Sequence, residues 1–287
     1  MKVYLNGDIV DEREGSIPVS DRGVLFGDGI FETMRAYRGR PFRLERHLER
    51  LREGCRRLRI PYDAPSREIG GAVSELYRLN VVSGDAYVRI TVTGGLFDGT
   101  RTLERRSRPN VFILVKPLEG YPEEFYRRGM RVIFSSIRAN ETSPLSGVKS
   151  NNYLDNILRK QEARDRGADD AVTLNGSGFL AEGTSANLFM VRRGKVLTPD
   201  LSCGILPGIT REAVIELCED HGIPSEAGNY LPEELRTADE AFFSVSTGEI
   251  VPIGEVEGDR IGFRCPGPLT TRIADAYRAL VRRELSL

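Results

Sequence analysis

The chain contains little lysine and little histidine, and this scarcity narrows the chemistry that it can perform. Five of its 41 basic residues are lysines and the others are arginines, while histidine occurs as His47 and His221. A histidine-rich zinc site is therefore excluded, and a Ser-His-Asp hydrolase is disfavoured because neither histidine has an evident nucleophile partner. Both histidines are expected at surface or helix-capping positions.

Long apolar segments, clustered cysteines and a strong net charge are also missing. No apolar run approaches the ~20 residues that cross a bilayer, and residues 1–8 lack the apolar core of a signal peptide. The net charge of −1 creates no field that favours nucleic acid or an anionic membrane. Cys55, Cys203, Cys218 and Cys265 lack metal-ligand spacing and are expected to be reduced and buried. These features predict a cytoplasmic protein whose partners are small molecules, with no metal, membrane or nucleic acid.

The length of 287 residues and the apolar fraction of 40% suit two modest domains, each with its own core. Two prolines and a glycine in the segment 116–122 mark the best linker. We therefore predict a small N-terminal α/β domain over 1–117, a linker over 118–122 and a larger C-terminal domain over 123–287. Strands and helices alternate in both halves, which indicates an α/β or α+β fold. Hydrophobic periodicity predicts helices at 43–58, 66–80, 153–166, 208–221 and 268–285, and strands at 3–8, 30–37, 86–92, 111–115, 131–135, 170–174, 179–181, 187–191 and 240–245.

Lys149 is the most informative of the few lysines. Seven uncharged residues precede it, and the segment 150–153 after it carries hydrogen-bonding groups without charge. A free lysine has a pKa near ~10.4, so burial or a nearby cation must lower that value before the amine becomes a good nucleophile. The setting suits a lysine held near neutrality in a polar, uncharged pocket. Taken alone, a surface lysine in a loop is the commoner meaning.

Glu182 follows the predicted strand 179–181 and precedes Gly183, so its carboxylate is expected at a strand end that points inward. A carboxylate against a pyridine nitrogen keeps that nitrogen protonated. At about 4 Å and an effective dielectric of about 20 the attraction is about 4 kcal/mol before desolvation is subtracted. A protonated ring then withdraws electrons from the α-carbon of a bound substrate. A solvated glutamate in a turn is the competing explanation.

Two features suit a phosphate group. Gly208 precedes the helix at 208–221, whose first amides and positive dipole end bind anions, and Thr210 adds a hydroxyl. Arg50 lies beside His47 on the helix 43–58, where a rigid fork of donors suits a phosphate. An ordinary helix cap and a solvated helix face are the commoner explanations of these two features. No Walker-type phosphate loop is present.

These motifs, in this order, resemble the class IV, fold-type IV pyridoxal-phosphate enzymes. That family includes branched-chain aminotransferases, D-amino acid aminotransferases and aminodeoxychorismate lyase. The resemblance extends from residues 3–7 to residues 244–253, which is nearly the whole chain. It implies a two-domain fold with pyridoxal 5′-phosphate in the cleft between the domains. It also implies a homodimer or a larger homo-oligomer whose active sites are completed across the interface.

The resemblance implies a role for each matching residue. Lys149 matches the catalytic lysine that forms a Schiff base with the cofactor, and Glu182 matches the partner of the pyridine nitrogen. Tyr153 matches the tyrosine that hydrogen-bonds the phenolic oxygen of the cofactor. The matches to the phosphate-binding residues are Arg50, Gly208, Ile209, Thr210, Ser246 and Thr247. The matches to the substrate-binding residues are Phe31, Arg89, Thr247 and Gly248.

The residues expected to determine substrate specificity resemble different members of the family. Phe31-Glu32 and the segment 87–89 resemble branched-chain enzymes, but Thr33 stands where glycine is common there. The segment 27–29, together with Thr33, resembles the lyase. The spacing between Lys149 and Tyr153 matches some D-amino acid and lyase-like members.

The Arg-x-His carboxylate trap of bacterial D-amino acid enzymes is absent from residues 93–101. We therefore expect an aminotransferase that acts on apolar, branched-chain-like α-amino acids and a 2-oxo acid. A D-amino acid transaminase and an aminodeoxychorismate-type lyase are the enzymatic alternatives. A pyridoxal-phosphate-binding module without turnover is the alternative outside enzymes, and the retained Lys149 and Glu182 argue against it.

Overall fold

The computed structural model describes residues 1–101 and 103–287 and divides them into two compact units. Unit 1 comprises Met1–Glu119 together with Val148–Asn152, and unit 2 comprises Gly120–Gly147 and Tyr153–Leu287. The segment that carries Lys149 therefore belongs to unit 1, although the sequence analysis placed it in the C-terminal domain. Its backbone pairing, described below, is the reason for this difference.

Unit 1 is built on a six-stranded antiparallel sheet in the order β2-β1-β6-β5-β3-β4. Two helices, α2 and α3, pack against this sheet and bury its apolar face. The elements of unit 1 are β1 (Lys2–Leu5), β2 (Asp8–Asp11), α1 (Arg22–Phe26), β3 (Gly29–Tyr37), β4 (Arg40–Pro41), α2 (Leu44–Arg57), α3 (Ser66–Asn80), β5 (Ala86–Thr93) and β6 (Val111–Pro117).

The apolar spacing on α2 explains how the helix meets the sheet. Leu48, Leu51 and Cys55 recur at helical intervals and are buried against β3, as that periodicity predicts. Alternate residues of β3, among them Ile30 and Met34, point to the same core. Burying each such leucine or isoleucine contributes roughly 2 kcal/mol. This packing fixes the side chains of α2 that face β3.

The segment 148–152 extends the sheet at the start of β3. The amide of Phe31 donates to the carbonyl of Lys149 at 3.0 Å, and the amide of Asn151 donates to the carbonyl of Gly29 at 2.8 Å. Gly29 is required by close approach, because a Cβ there would lie 2.4 Å from Asn151 Nδ2. The position of Lys149 is thus set by a strand edge rather than by a free loop.

Unit 2 holds a nine-stranded mixed sheet in the order β12-β11-β10-β13-β14-β7-β8-β9. Strand β9 also pairs with β10, so the six strands from β10 round to β9 form a closed ring, and β15 pairs with β14. The elements are α4 (Glu123–Arg128), β7 (Met130–Phe134), α5 (Leu154–Asp165), β8 (Asp170–Leu174), β9 (Leu180–Gly183), β10 (Asn187–Arg192), β11 (Lys195–Pro199), a 3-10 turn (Leu201–Cys203), α6 (Ile209–Asp220), β12 (Ser225–Gly228), α7 (Pro232–Arg236), β13 (Glu240–Val245), β14 (Glu249–Val256), β15 (Asp259–Arg260) and α8 (Pro268–Leu285).

Strand β14 was not predicted, although it lies between β13 and β7 in the sheet. It contains Pro252 and Gly254, two residues that normally argue against a strand interior. The residue paired with Pro252 is Phe242, and the register shifts between Ile253 and Glu255. Tertiary pairing therefore overrides the local sequence preference at this strand.

Among the described residues all four cysteines are free thiols. Cys55, Cys203 and Cys218 are buried as predicted, whereas Cys265 is half-buried. In the part of the chain that the structure describes, no helix combines the length and the apolar character needed to cross a bilayer.

Candidate active site

In unit 1, two of the residues singled out from the sequence lie beside the aromatic ring of a third, Phe31. The Arg89 guanidinium carbon lies 3.7 Å from the centroid of the Phe31 ring, and Lys149 Nζ lies 4.7 Å from it. Both cations are attracted to the negative face of the ring. Arg89 is further oriented by Thr91, whose Oγ1 accepts from Arg89 Nε at 3.2 Å. Unit 1 thus presents an amine and a guanidinium together beside an aromatic surface.

Arg50, on α2, is held by a buried carboxylate of β3. Its Nε and Nη2 donate to the two oxygens of Glu32, each at 2.7 Å. His47 Nδ1 lies 2.7 Å from Glu32 Oε2. The expectation of a surface or capping position for His47 is wrong, because His47 and Arg50 are three residues apart on the side of α2 that faces β3. The role of Arg50 as a phosphate ligand stays a prediction.

The protonation states of Glu32 and His47 follow from their burial and from their contacts with each other and with Arg50. Burial alone would raise the pKa of Glu32, but the Arg50 guanidinium and the hydrogen bonds from Arg50 and His47 outweigh burial and lower that pKa to about 2. Burial lowers the pKa of His47, and Glu32 only partly offsets this effect. At neutral pH the group is therefore an ionised Glu32–Arg50 pair with a neutral His47.

In unit 2, Glu182 lies at the end of β9 as predicted. It stands directly opposite Asn187 across the β9–β10 hairpin. Glu182 Oε2 accepts from Asn187 Nδ2 at 3.1 Å and from the amide of Leu206 at 3.1 Å. Both of these donors are neutral groups.

The predicted phosphate-binding helix start is also present in unit 2. Helix α6 begins at Ile209 after Gly208, which has no side chain that could cap the first amides. Ile209 and Thr210 are both buried in this first turn. A 12-residue helix with such a start offers main-chain N–H groups and a positive dipole end to an anion.

The turn between β13 and β14 contains Ser246, Thr247 and Gly248. It is supported by two tyrosines: Tyr126 Oη donates to the carbonyl of Gly248 at 2.9 Å, and a Cβ on Gly248 would lie 2.3 Å from the Tyr121 ring. This support fixes a turn that offers two hydroxyls and main-chain amides.

Tyr153 is the residue immediately before α5, and its hydroxyl donates to the carbonyl of Thr184 at 3.0 Å. Thr184 follows Glu182 by two residues, so the tyrosine is tied to the same hairpin as the carboxylate. Its predicted contact with the phenolic oxygen of the cofactor stays a prediction.

The groups that the two units supply match the chemistry of pyridoxal 5′-phosphate. Unit 1 offers the Lys149 amine for an aldehyde, and unit 2 offers the Glu182 carboxylate for a pyridine nitrogen. The start of α6 suits a phosphate. In addition, Ser244 Oγ is buried beside Asn187 in the strand register and has no hydrogen-bond partner among the described residues. The residues therefore fit this cofactor.

Sequence reasoning missed two residues of the site, Glu32 and Asn187. Glu32 occupies a core position in an alternating strand, which is a detectable signal because a lone carboxylate there requires a partner. Asn187 follows a turn of four residues after Glu182, and the pairing of such a hairpin places the two side chains on one face. The two partners of Asn187 outside the hairpin are the Leu206 carbonyl and Ser244 of β13, and local sequence could predict neither.

Comparison with known proteins places these observations in one family. The family model described as amino-transferase class IV matches residues 29–256, which is most of the chain. The chain belongs to the class IV aminotransferase family.

Three curated relatives represent three activities. The chain is 37% identical over 279 residues to a putative branched-chain-amino-acid aminotransferase of Methanocaldococcus jannaschii, covering 97% of this chain and 96% of that protein. It is 32% identical to the aminodeoxychorismate lyase of Bacillus subtilis, with 98% and 94% covered. It is 31% identical to a D-alanine aminotransferase of Bacillus licheniformis, with 99% and 98% covered.

Solved structures agree with the fold. A branched-chain aminotransferase of Thermoproteus uzoniensis with norvaline superposes with a TM-score of 0.91 at 36% identity, covering 98% of this chain and 94% of that chain. The pyridoxal-phosphate form of the Thermobaculum terrenum branched-chain enzyme gives 0.87 at 31% identity, with 98% and 93% covered. The predicted family, the mixed α/β fold of fold-type IV, the aminotransferase class and the cofactor are confirmed. The roles of individual residues and the domain boundaries stay predictions.

Proposed function

We propose that this aminotransferase moves the amino group between an apolar, branched-chain-like α-amino acid and a 2-oxo acid. The observation that carries the proposal is the placement of Lys149 and Arg89 on the Phe31 ring. An amine that can react lies there beside a guanidinium that can bind a carboxylate, and the surface between them is apolar.

Lys149 is the residue that acts on the reacting atoms. Its amine would hold the cofactor, and once released it would take the proton from the substrate α-carbon as general base and deliver that proton to the cofactor as general acid. Pyridoxal 5′-phosphate supplies a ring that withdraws electrons from that carbon. Glu182 keeps the ring nitrogen protonated through its negative charge.

The remaining residues bind and orient. The phosphate is held by the start of α6 at Ile209 and Thr210, by Ser246 and Thr247, and by Arg50. Tyr153 would turn its single hydroxyl proton from the Thr184 carbonyl to the phenolic oxygen. On the substrate side, Arg89 meets a carboxylate, Phe31 offers its ring to an apolar side chain, and the turn at Thr247 and Gly248 offers further donors.

One observation keeps the lyase and D-amino acid alternatives open. Thr33 lies directly opposite Arg89 in the pairing of β3 with β5. The Thr33 hydroxyl beside the Arg89 guanidinium adds a polar group to a surface that otherwise suits an apolar side chain. The relatives of B. subtilis and B. licheniformis carry these two activities at similar identity to this chain.

A homodimer or a larger homo-oligomer is also part of the proposal. Helix α5 exposes Leu154, Ile157 and Leu158 at 64%, 57% and 46% along one side, and an apolar stripe of this kind favours a protein partner. The spacing of the three residues, i, i+3 and i+4, puts them on one helix face. The cytoplasmic location stays a prediction.

A panel of amino donors tests the proposal. The loaded protein is mixed with L-leucine, D-alanine or aminodeoxychorismate, and conversion of the cofactor to its amino form is followed by absorption, together with the organic product. We expect L-leucine to give its 2-oxo acid at least tenfold faster than D-alanine gives pyruvate. Preference for D-alanine, or pyruvate release from aminodeoxychorismate alone, would replace the proposed substrate by one of the alternatives.

A further inference from the structure

The side-chain amide of Asn187 connects two parts of the candidate site in unit 2. Its Nδ2 donates to Glu182 Oε2 at 3.1 Å and to the carbonyl of Leu206 at 2.8 Å. The amide of Leu206 in turn donates to the same oxygen of Glu182 at 3.1 Å. Asn187, Glu182 and the Leu206 peptide therefore form a closed ring of hydrogen bonds. Leu206 lies two residues before Gly208, which precedes α6.

We propose that Asn187 is a positioning residue that fixes the Glu182 carboxylate and the phosphate-binding start of α6 relative to each other. This inference rests on the proposed function, in which Glu182 meets the ring nitrogen and α6 meets the phosphate. A single rigid cofactor spans those two groups, so any change in their separation weakens one contact or the other.

The surroundings of Asn187 leave its amide little freedom. Only 4% of the residue is exposed. Its backbone pairs with Glu182 on one side and with Ser244 on the other, within β9, β10 and β13. On the far side the amide packs on Gly208, where an added Cβ would lie 1.9 Å from Asn187 Oδ1. The glycine before α6 and the asparagine on β10 are thus fitted to each other.

Asparagine is the side chain that satisfies this arrangement. A primary amide has two N–H donors, and here two acceptors, Glu182 Oε2 and the Leu206 carbonyl, share them. An aspartate of the same shape loses both donors and places a second negative charge beside Glu182. Two carboxylates so close share one proton and keep one negative charge between them, and the aspartate cannot donate to the Leu206 carbonyl, so Glu182 and the Leu206 peptide are no longer held together.

The test compares Asn187→Asp with Asn175→Asp in the loaded full-length protein. Asn175 is a matched control because it is a buried asparagine of the same unit whose Oδ1 accepts from the Phe179 amide at 2.9 Å. The readouts are the ¹⁵N chemical shift of the bound cofactor's ring nitrogen and the dissociation constant of pyridoxal 5′-phosphate. Thermal unfolding of each variant serves as the measure of folding.

We expect Asn187→Asp to displace Glu182 from the ring nitrogen, which changes the ¹⁵N signal of that nitrogen, and to weaken cofactor binding at least tenfold. Asn175→Asp should keep the wild-type signal and bind within twofold of wild type. A folded Asn187→Asp protein with the wild-type nitrogen signal and affinity overturns the proposal.

Asn187→Ala tests the positioning role if the aspartate variant fails to fold or to bind the cofactor. It removes both donors without adding charge, so we expect weaker cofactor binding with the ring nitrogen still protonated, since Glu182 keeps the Leu206 amide. Binding equal to wild type overturns the positioning role. The proposed function fails separately, because it requires only that the wild-type protein load at Lys149 and convert an amino donor.

Discussion

At the scale of single residues, the buried Glu32 carboxylate holds both Arg50 and His47 by hydrogen bonds. Glu32 has no exposed surface and forms an ion pair with Arg50 inside the core of unit 1. Taking both charges from water is costly, but removing one partner is worse because the other stays buried without compensation. Glu32 therefore holds the guanidinium in one orientation.

Replacing Glu32 by glutamine tests this. We expect Glu32→Gln to lower the free energy of unfolding by about 3 kcal/mol, because Arg50 is left as an uncompensated buried cation. Urea-induced unfolding measures the change. The matched control is Glu53→Gln, which breaks an exposed ion pair with Arg56 and should change stability by less than about 1 kcal/mol. Equal effects of the two substitutions contradict the account.

His47 makes stability depend on pH in a defined window. Its pKa is lowered in the folded protein by burial, whereas the unfolded chain takes up a proton below about 6.5. The unfolded state thus binds more protons, so stability is full above about 6.5 and falls as the pH drops. Glu32 acts in a lower window, since its stabilising charge persists until the pH falls from 4.5 towards about 2.

We expect the wild-type protein to lose up to about 2 kcal/mol between pH 7 and pH 5 through His47, from 1.36 kcal/mol per pH unit. His47→Gln should lose correspondingly less over the same interval, and His221→Gln, at an exposed position, should follow wild type. Denaturation curves at the two pH values measure the difference. A His47→Gln curve parallel to wild type contradicts a neutral, buried His47.

At the scale of elements, the segment 148–152 shows how a strand edge positions a reactive side chain. Its pairing with β3 holds Lys149 by the backbone, and Gly29 leaves the space that Asn151 occupies. The side chain of Lys149 is therefore carried by a rigid element, which suits a site that requires sub-ångström placement.

Gly29→Ala tests this arrangement. The new Cβ would lie 2.4 Å from Asn151 Nδ2 and 2.8 Å from the Val92 carbonyl, so the segment must move away from β3. We expect the rate of covalent cofactor loading to fall at least tenfold. The matched control is Gly71→Ala on α3, where a Cβ meets no described atom within 4 Å and should stabilise the helix by up to about 1 kcal/mol. Unchanged loading by Gly29→Ala argues against backbone positioning of Lys149.

The elements also show what the sequence could predict. Helices α2, α3 and α8 and strands β3 and β5 were predicted within a few residues, because their apolar residues recur at regular intervals. Strand β14 was missed, since Pro252 and Gly254 hide a strand that exists through pairing with its neighbours. The location of 148–152 on β3 was missed for the same physical reason: it depends on a contact between residues far apart in the chain.

The residues of the candidate site also divide into those that the sequence predicted and those that it did not. Lys149 and Glu182 were singled out from local chemistry, a lysine in an uncharged segment and a carboxylate at a strand end, and the family resemblance supplied their roles, which stay predictions. Glu32 and Asn187 were missed because their importance lies in partners brought by the fold, Arg50 and the Leu206 peptide. Local pattern therefore identifies groups that react, and tertiary register identifies those that orient them.

At the scale of the whole molecule, the exposed side of α5 predicts self-association. We expect sedimentation to give at least twice the 32.0 kDa mass of one chain. Ile157→Glu should shift the protein towards the monomer, because a charge on the apolar stripe must be desolvated in any interface. Val82→Glu, at a fully exposed position outside α5, is the control and should leave the mass unchanged. A wild-type monomer at micromolar concentration contradicts the proposed oligomer.

The two units together contribute a reactive amine, a carboxylate and an anion-binding helix start, and the amine is the group on which the account depends. Reduction of the loaded protein with borohydride, followed by peptide mapping, identifies the residue that carries the cofactor. The account predicts one labelled peptide containing Lys149, with Lys116 and Lys160 unlabelled. Label on another lysine, or no label in a folded and loaded protein, contradicts it.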